Sequence, residues 1–289
     1  MIEVLATGPL VTIQDLGRPG WASVGVGRSG AADRAALTLA NRLVANPEGA
    51  AALEVLFGGL VISARRHVWL ALSGAPAPAT VDGAPVGHHA VFPLAPGERL
   101  RLGRPDSGLR TYLAVRGGID VPPVLGSRSR DTLSGIGPDP LRAGALLPVG
   151  PEPGELPLVD QAPVPVPPGG PVTLRAVRGP RDRFLTDPRA LERDGWVVST
   201  RADRIGLRLT GRTVAAGADA GGMASEGLTR GAVQLPPGGE PVVFLADHPT
   251  TGGYPVIAVL LDADADRAAQ LRPGQAVRIR LLDPDSTHG

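Results

Sequence analysis

Asp247, Thr250, Thr251 and Tyr254 fall in one eight-residue stretch interleaved with Gly252 and Gly253. Those residue types could do chemistry together. A carboxylate, hydroxyls and free backbone amides at one rim could make a site for a polar ligand. Just upstream, Val242 to Ala246 is a run of five apolar residues that reads as a buried strand, which puts the polar group at one strand end. Gly252 and Gly253 are expected to take positive φ and turn their N–H groups outward, as loops do when they cup an anion. The same pattern also suits a β-turn cluster that satisfies its own backbone. Ser225, Glu226 and Gln234, in the polar stretch before that strand, join the candidates for ligand binding.

Other motifs are weaker. Gly25-Val-Gly27-Arg28-Ser29-Gly30 matches G-x-G-x-x-G ahead of a helix, but no buried strand leads into it and no strand–helix alternation follows, so it is not a dinucleotide fingerprint. Arg28, Ser29 and Asp33 remain candidates for holding an anion at that helix N-terminus. Asp203 and Arg204, in RADRIGLRL, offer either a carboxylate-binding arginine or a plain ion pair. Glu54 stands inside the apolar run ALEVLFGG and must either meet an arginine or face a cleft. Asp262, Asp264 and Asp266 imitate an EF-hand opening, yet Arg267 and Pro273 occupy the positions that need glycine and a bidentate acid. His88 and His89 are expected on opposite faces of a strand at the surface. No metal site is expected, and no G-x-S-x-G supplies a nucleophile elbow.

Composition narrows the chemistry further. The 289 residues contain no cysteine and no lysine, and all 29 basic residues are arginine. Disulfides, thiolate catalysis, a Walker lysine, a Schiff base and covalently attached biotin are therefore excluded within this chain. Formal net charge is +1 and aromatic residues make up 3% of the chain, which argues against nucleic acid as a partner. No apolar run approaches the roughly 18 residues of a membrane span, and no signal-like start is seen, so a cytoplasmic location is expected.

The elements that must position these residues are mostly strands. Glycine and proline recur throughout (40 and 31 residues), as in an all-β chain with a few short helices. A turn-plus-strand phrase repeats as LAPGERLRLG from Leu94, LRAGALLPVG from Leu141 and LRPGQAVRIR from Leu271. A looser pair is RTYLAVRGGIDVPP from Arg110 and VVFLADHPTTGGYP from Val242. Two related β domains are expected, residues 1–150 and 172–289, joined by a proline-rich linker at 151–171. Helices are expected over Ala31 to Val44 with Gly30 as cap, over Thr186 to Asp194 and over Asp262 to Leu271.

VTIQDLGRPG, GVGRSGAADR, LANRLV, ALEVLFGG, YLAVRGGIDVPPVLGSRS, DRIGLRL, SEGLTRGAVQLPPGGEP and TTGGYP occur in this order along the chain. Together they resemble the allophanate hydrolase subunit 2-like family, also called KipA-like or biotin-dependent carboxyltransferase-like proteins. The resemblance implies two cyclophilin-like β-barrel domains and a partner, which is a KipI-like protein or, in the oxoprolinase, the B component, with an A component as the third member. It implies ATP-dependent opening of 5-oxoproline, a small anionic substrate, to glutamate, with ATP and Mg²⁺ held in the complex. It also implies two other readings, a regulatory partner of a KipI-like kinase inhibitor and a carboxyltransferase component served by a biotin carrier. The family carries glutamine where Pro249 stands and a basic residue where Val256 stands, so this chain lacks one hydrogen-bonding group and one charge at that loop.

Overall fold

Strict alternation sets the exposed strands. In Arg99–Leu102 the two leucines are buried and the two arginines exposed, and Ala276–Leu281 repeats the pattern. The structure is a computed structural model that describes residues 1–282 except 158, 160, 216 and 218–222. The chain divides into two compact units, Met1–Pro19 with Ser29–Pro167, and Gly20–Arg28 with Pro168–Gly289. It is mostly β, and among the described residues no helix is long and apolar enough to cross a membrane.

The first unit holds two sheets over one core. The six-stranded sheet runs Leu146–Leu147, Ile2–Ala6, Val61–Ala64, Arg99–Leu102, Ala79–Val81, Ala84–Pro85. The five-stranded sheet runs Leu10–Gln14, Ala52–Leu56, Arg110–Val115, Val68–Gly74, Val91–Leu94. Arg110–Val115 is buried at every residue because both of its faces are covered. Leu113 and Val115 enter the core between the sheets, while Tyr112 and Ala114 pack against helix α1 (Arg34–Leu43). Ala36, Leu37, Ala40 and Leu43 form the buried stripe of α1, at the spacing of one helical face.

The second unit closes seven strands into a barrel, in the order Val172–Arg178, Val256–Leu260, Ala232–Gln234, Val242–Phe244, Gly206–Thr210, Trp196–Ala202, Ala276–Leu281. Closure leaves no free sheet edge. Trp196, 1% exposed, donates its indole N–H to the Leu191 carbonyl at 2.9 Å, which satisfies its polar atom inside the core. Helix α2 (Asp262–Ala268) buries Ala265 and Ala268.

The repeated phrase is one structural device used three times. Glu98, Ala145 and Gln275 donate N–H to the carbonyls three residues earlier, at 3.1, 3.1 and 3.0 Å. Gly97, Gly144 and Gly274 lie at φ 85°, 88° and 85°, the left-handed third position of a type II turn, and a strand follows each. The looser pair diverges: Gly117 and Gly118 have positive φ, and Gly252 and Gly253 do not.

Three expected elements differ. α1 starts at Arg34 because Asp33, not Gly30, is its N-cap, with a carboxylate oxygen accepting from the Ala36 N–H at 2.9 Å. Gly30 is needed instead for close approach, since a Cβ there would sit 2.8 Å from the Gly17 nitrogen. The helix expected over Thr186 to Asp194 is only a 3₁₀ turn at Ala190–Glu192, after another at Asp182–Phe184. Pro188 lacks an N–H, and Asp187 spends its carboxylate on the Arg189 N–H at 2.9 Å, closing a local turn. The strand from Val242 ends at Phe244, because the chain bends there and Leu245 donates to the Ile205 carbonyl at 2.9 Å.

The stretch read as a linker is anchored to the first unit over much of its length. Arg116 holds the Glu152 carboxylate at 3.2 Å and the carbonyls of Pro153 and Gly154. Further on, Gln161 donates to the His88 carbonyl at 3.1 Å and Ala162 to the His89 carbonyl at 2.9 Å.

Candidate functional site

In the second unit the polar candidates gather around a two-stranded sheet, in which Glu226 pairs with Gly252 and Gly227 with Thr251. Leu228 donates to the Thr250 carbonyl at 2.9 Å, and the Gln234 amide donates to the Tyr254 carbonyl at 2.8 Å, so both ends of the loop are tied to the barrel. Ser225, Thr251 and Tyr254 are exposed, and Thr250 is half-buried. Arg181 forks onto both oxygens of Glu226. Its hydrogen bonds hold the Glu226 carboxyl below the usual range, against partial desolvation, and in return Glu226 raises the Arg181 guanidinium. The result is a rim of hydroxyls around one ion pair, able to donate to and accept from a small polar guest.

One expectation at this rim is corrected, and Asp247 lies deeper than the rim itself. Gly252 and Gly253 do not have left-handed φ, so they do not present the expected anion-binding turn. Gly252 is instead crowded by side-chain ends, since a Cβ would lie 2.7 Å from the Gln234 amide nitrogen and 2.8 Å from a Leu228 methyl. Asp247 is 1% exposed and Arg204 3%. They form a bidentate pair, Nε to Oδ2 at 2.8 Å and Nη2 to Oδ1 at 3.0 Å, backed by the Asp247 N–H on the Arg204 carbonyl at 3.0 Å. One buried guanidinium thus holds both Asp247 oxygens and fixes the carboxylate at the bend that leads into the rim. Among the described residues no three acids or histidines cluster to hold a metal. Asp203 accepts from the N–H groups of Ile205 at 2.7 Å and Gly206 at 3.0 Å, which closes the turn after it.

The glycine-rich candidates separate. Arg28 is exposed and belongs to the second unit, whereas Ser29 and Asp33 belong to the first. Ser29 is buried, with its hydroxyl on the Arg130 carbonyl at 3.2 Å. At the helix N-terminus expected to hold an external anion stand two of the protein's own carboxylates: Asp33 takes the Ala36 N–H in the first turn, and Glu54 takes that of Ala32, just before the cap, at 3.0 Å. Glu54 also meets an arginine, with its second oxygen 3.4 Å from Arg110 Nε. The Tyr112 hydroxyl donates to Glu54 at 2.7 Å and accepts from the Asp33 N–H at 2.8 Å. Burial first, and then the charges of Glu54 and Asp33, push the Tyr112 phenol well above its ordinary value, which keeps it a neutral donor.

The histidine pair is not at the surface. His89 is 6% exposed at φ 57°, and this left-handed residue brings the His88 and His89 rings to 4.3 Å instead of placing them on opposite faces. Burial lowers both: His88 falls to about 4, helped by His89 and opposed by its hydrogen bond to the Gly74 carbonyl, and His89 falls by desolvation. Sequence reasoning missed this cluster because no spacing rule signals a left-handed histidine. The three aspartates of α2 are paired with arginine, Asp264 with Arg175 at 2.8 Å, and Asp262 and Asp266 with Arg230, which accounts for them without calcium.

The fold and site define a class. Residues 24–281 match the carboxyltransferase domain, subdomain A and B, and the chain belongs to that family. Among its relatives, the C component of 5-oxoprolinase from Escherichia coli (strain K12) is 39% identical over 284 residues, covering 96% of this chain and 90% of that protein. The crystal structure of TTHA0988 superposes with a TM-score of 0.86 at 35% identity, covering 96% of this chain and 55% of that one. The K. lactis urea amidolyase superposes with a TM-score of 0.91 at 28% identity, covering 98% of this chain. The chain therefore spans about half of TTHA0988 and 19% of the urea amidolyase.

Proposed function

We propose that this chain is the C component of a 5-oxoprolinase, a cytoplasmic complex that opens 5-oxoproline to glutamate at the expense of ATP. The similarity to the E. coli 5-oxoprolinase C component across nearly both full lengths carries the reading. Its partners are a KipI-like chain, the B component, and an A component. A lactam carbonyl is a poor electrophile, and ATP, when bound in the complex with Mg²⁺, supplies the phosphoryl group that makes its oxygen a good leaving group. The contribution of this chain is orientation: the Thr251 and Tyr254 hydroxyls and the Arg181–Glu226 pair at the rim hold the small acid by hydrogen bonds. Asp247, locked on Arg204, fixes the bend before that rim.

The test is reconstitution with the neighbouring components and measurement of glutamate released from 5-oxoproline with and without ATP. The Thr251→Ala, Tyr254→Phe double variant is expected to lower turnover about tenfold, the worth of one or two neutral hydrogen bonds. Undiminished turnover withdraws the rim assignment, and no ATP-dependent glutamate from any combination of components overturns the function. A second reading, a carboxyltransferase component served by a biotin carried on another protein, is supported by the family description and by the urea amidolyase superposition. Transfer of labelled carboxyl from a biotinylated carrier, without glutamate release, would select it.

A further inference from the structure

The barrel unit carries a cleft of about 160 Å³ between the 3₁₀ turn at Ala190–Glu192 and the segment at 212–215 that follows strand Gly206–Thr210. A cavity of about 150 Å³ accepts a benzene ring, so this space suits a ligand of a few heavy atoms. Its charges come from Asp187, Arg193 and Arg212, and Ala190 and Val214 are among its apolar walls. None of these residues belongs to the rim at Ser225 to Tyr254, so the site stands or falls independently of the oxoprolinase reading.

The two segments meet closely at Gly211, where φ is 92° and a Cβ would overlap the Gly195 carbonyl oxygen. The Arg212 side chain runs back across Gly195, whose absent Cβ would touch its Cδ at 3.4 Å, and its Nη1 donates to the Asp194 carbonyl at 2.8 Å. That bond holds the guanidinium while spending few of its five donors. Arg212 meets no carboxylate among the described residues, and the acid next to it, Asp194, is paired with Arg278 at 2.8 Å. Arg193, by contrast, is matched by Asp187, whose other oxygen takes the Arg189 N–H at 2.9 Å. Thr186 gives its hydroxyl proton to the Ala215 carbonyl at 2.9 Å, whereas the exposed Thr213 hydroxyl makes no hydrogen bond among the described residues. The described lining therefore carries one cation in excess, with a hydroxyl able to donate on the next residue.

We infer that this cleft binds a small monocarboxylate, held by the guanidinium fork of Arg212 and the Thr213 hydroxyl, with its short alkyl part against Ala190 and Val214. A cation is disfavoured because Asp187 already carries Arg193. A dianion would exceed the one uncompensated charge and would face the Asp187 carboxylate. Arg212 is exposed, so its ion pair alone is worth little; with the hydroxyl and the methyl contacts added, a dissociation constant on the order of 1 mM is expected.

Sodium propionate is the probe, titrated into the full chain against sodium chloride, sodium sulfate and propionamide at equal ionic strength, with the melting temperature and the backbone amide signals followed. Wild type is expected to show a saturable rise in melting temperature and saturable shifts of amides at 186–190 and 212–215, with propionate tighter than sulfate and no saturation by chloride or propionamide. Arg212→Gln is expected to weaken binding about tenfold or more, and Thr213→Val severalfold. Both side chains are exposed, so both variants keep the fold. No saturable response to propionate, saturation by chloride or propionamide, sulfate as tight as propionate, shifts only at other amides, or wild-type affinity in Arg212→Gln would each overturn the assignment.

Discussion

Asp247 shows how a residue's partner decides its role. Its type and position fit a general base, but Arg204 takes both carboxylate oxygens inside the protein. Asp247→Asn should therefore act through stability, costing about 3–5 kcal/mol in urea unfolding because the arginine is left buried without its counter-charge. Replacing both, as Asp247→Leu with Arg204→Met, should cost clearly less than either single change; equal or additive costs would mean that the pair does not act as a unit. His88 gives a second residue-level prediction, with a definite sign. Its value falls from 6.5 to about 4 on folding, so between those limits the unfolded chain binds more protons. The stability it contributes is present above pH 6.5 and lost as pH falls toward 4, by at most on the order of 3 kcal/mol. In His88→Gln the difference in stability between pH 7 and pH 4.5 should shrink, and an unchanged difference would assign the acid loss to other groups.

At the scale of elements, what could be read from the sequence was what repeats. The three Pro-Gly or Ala-Gly turns with their alternating strands are local devices, and the type II geometry at Gly97, Gly144 and Gly274 follows from a glycine where φ must be positive. The stripe of α1 was legible for the same reason, as was the need of Glu54 for an arginine. What failed depended on residues far apart in the chain. The two glycines at 252 and 253 look like a phosphate-type turn, yet Gly252 is small because Gln234 and Leu228 crowd it from a neighbouring strand and loop. The atoms it would displace are ends of flexible side chains, so Gly252→Ala should cost only about 1 kcal/mol through loss of the Gln234 bond to Tyr254. Its signature should be faster amide exchange at 251–256 with the barrel strands unchanged. Exchange as slow as in wild type would show that the bond does not hold the loop.

On the scale of the whole molecule, the absence of lysine bears on how labour is divided. Nucleotide sites commonly set a lysine against phosphate oxygens and a carboxylate against the metal, and this chain offers neither at its rim: every cation is arginine, Asp247 is taken by Arg204, and Glu226 by Arg181. At the glycine loop ahead of α1, the protein's own Glu54 takes the Ala32 N–H just before the cap and Asp33 takes that of Ala36 in the first turn. Under the proposed function, a component built this way orients a small acid and leaves ATP to the other chains. The isolated chain is therefore expected to bind neither ATP nor Mg²⁺–ATP at concentrations that saturate the assembled complex, which equilibrium dialysis with labelled ATP can measure on both. Stoichiometric ATP binding by the isolated chain would relocate the nucleotide to this component. It would also require a cradle of arginine and backbone N–H groups other than the rim at Ser225 to Tyr254.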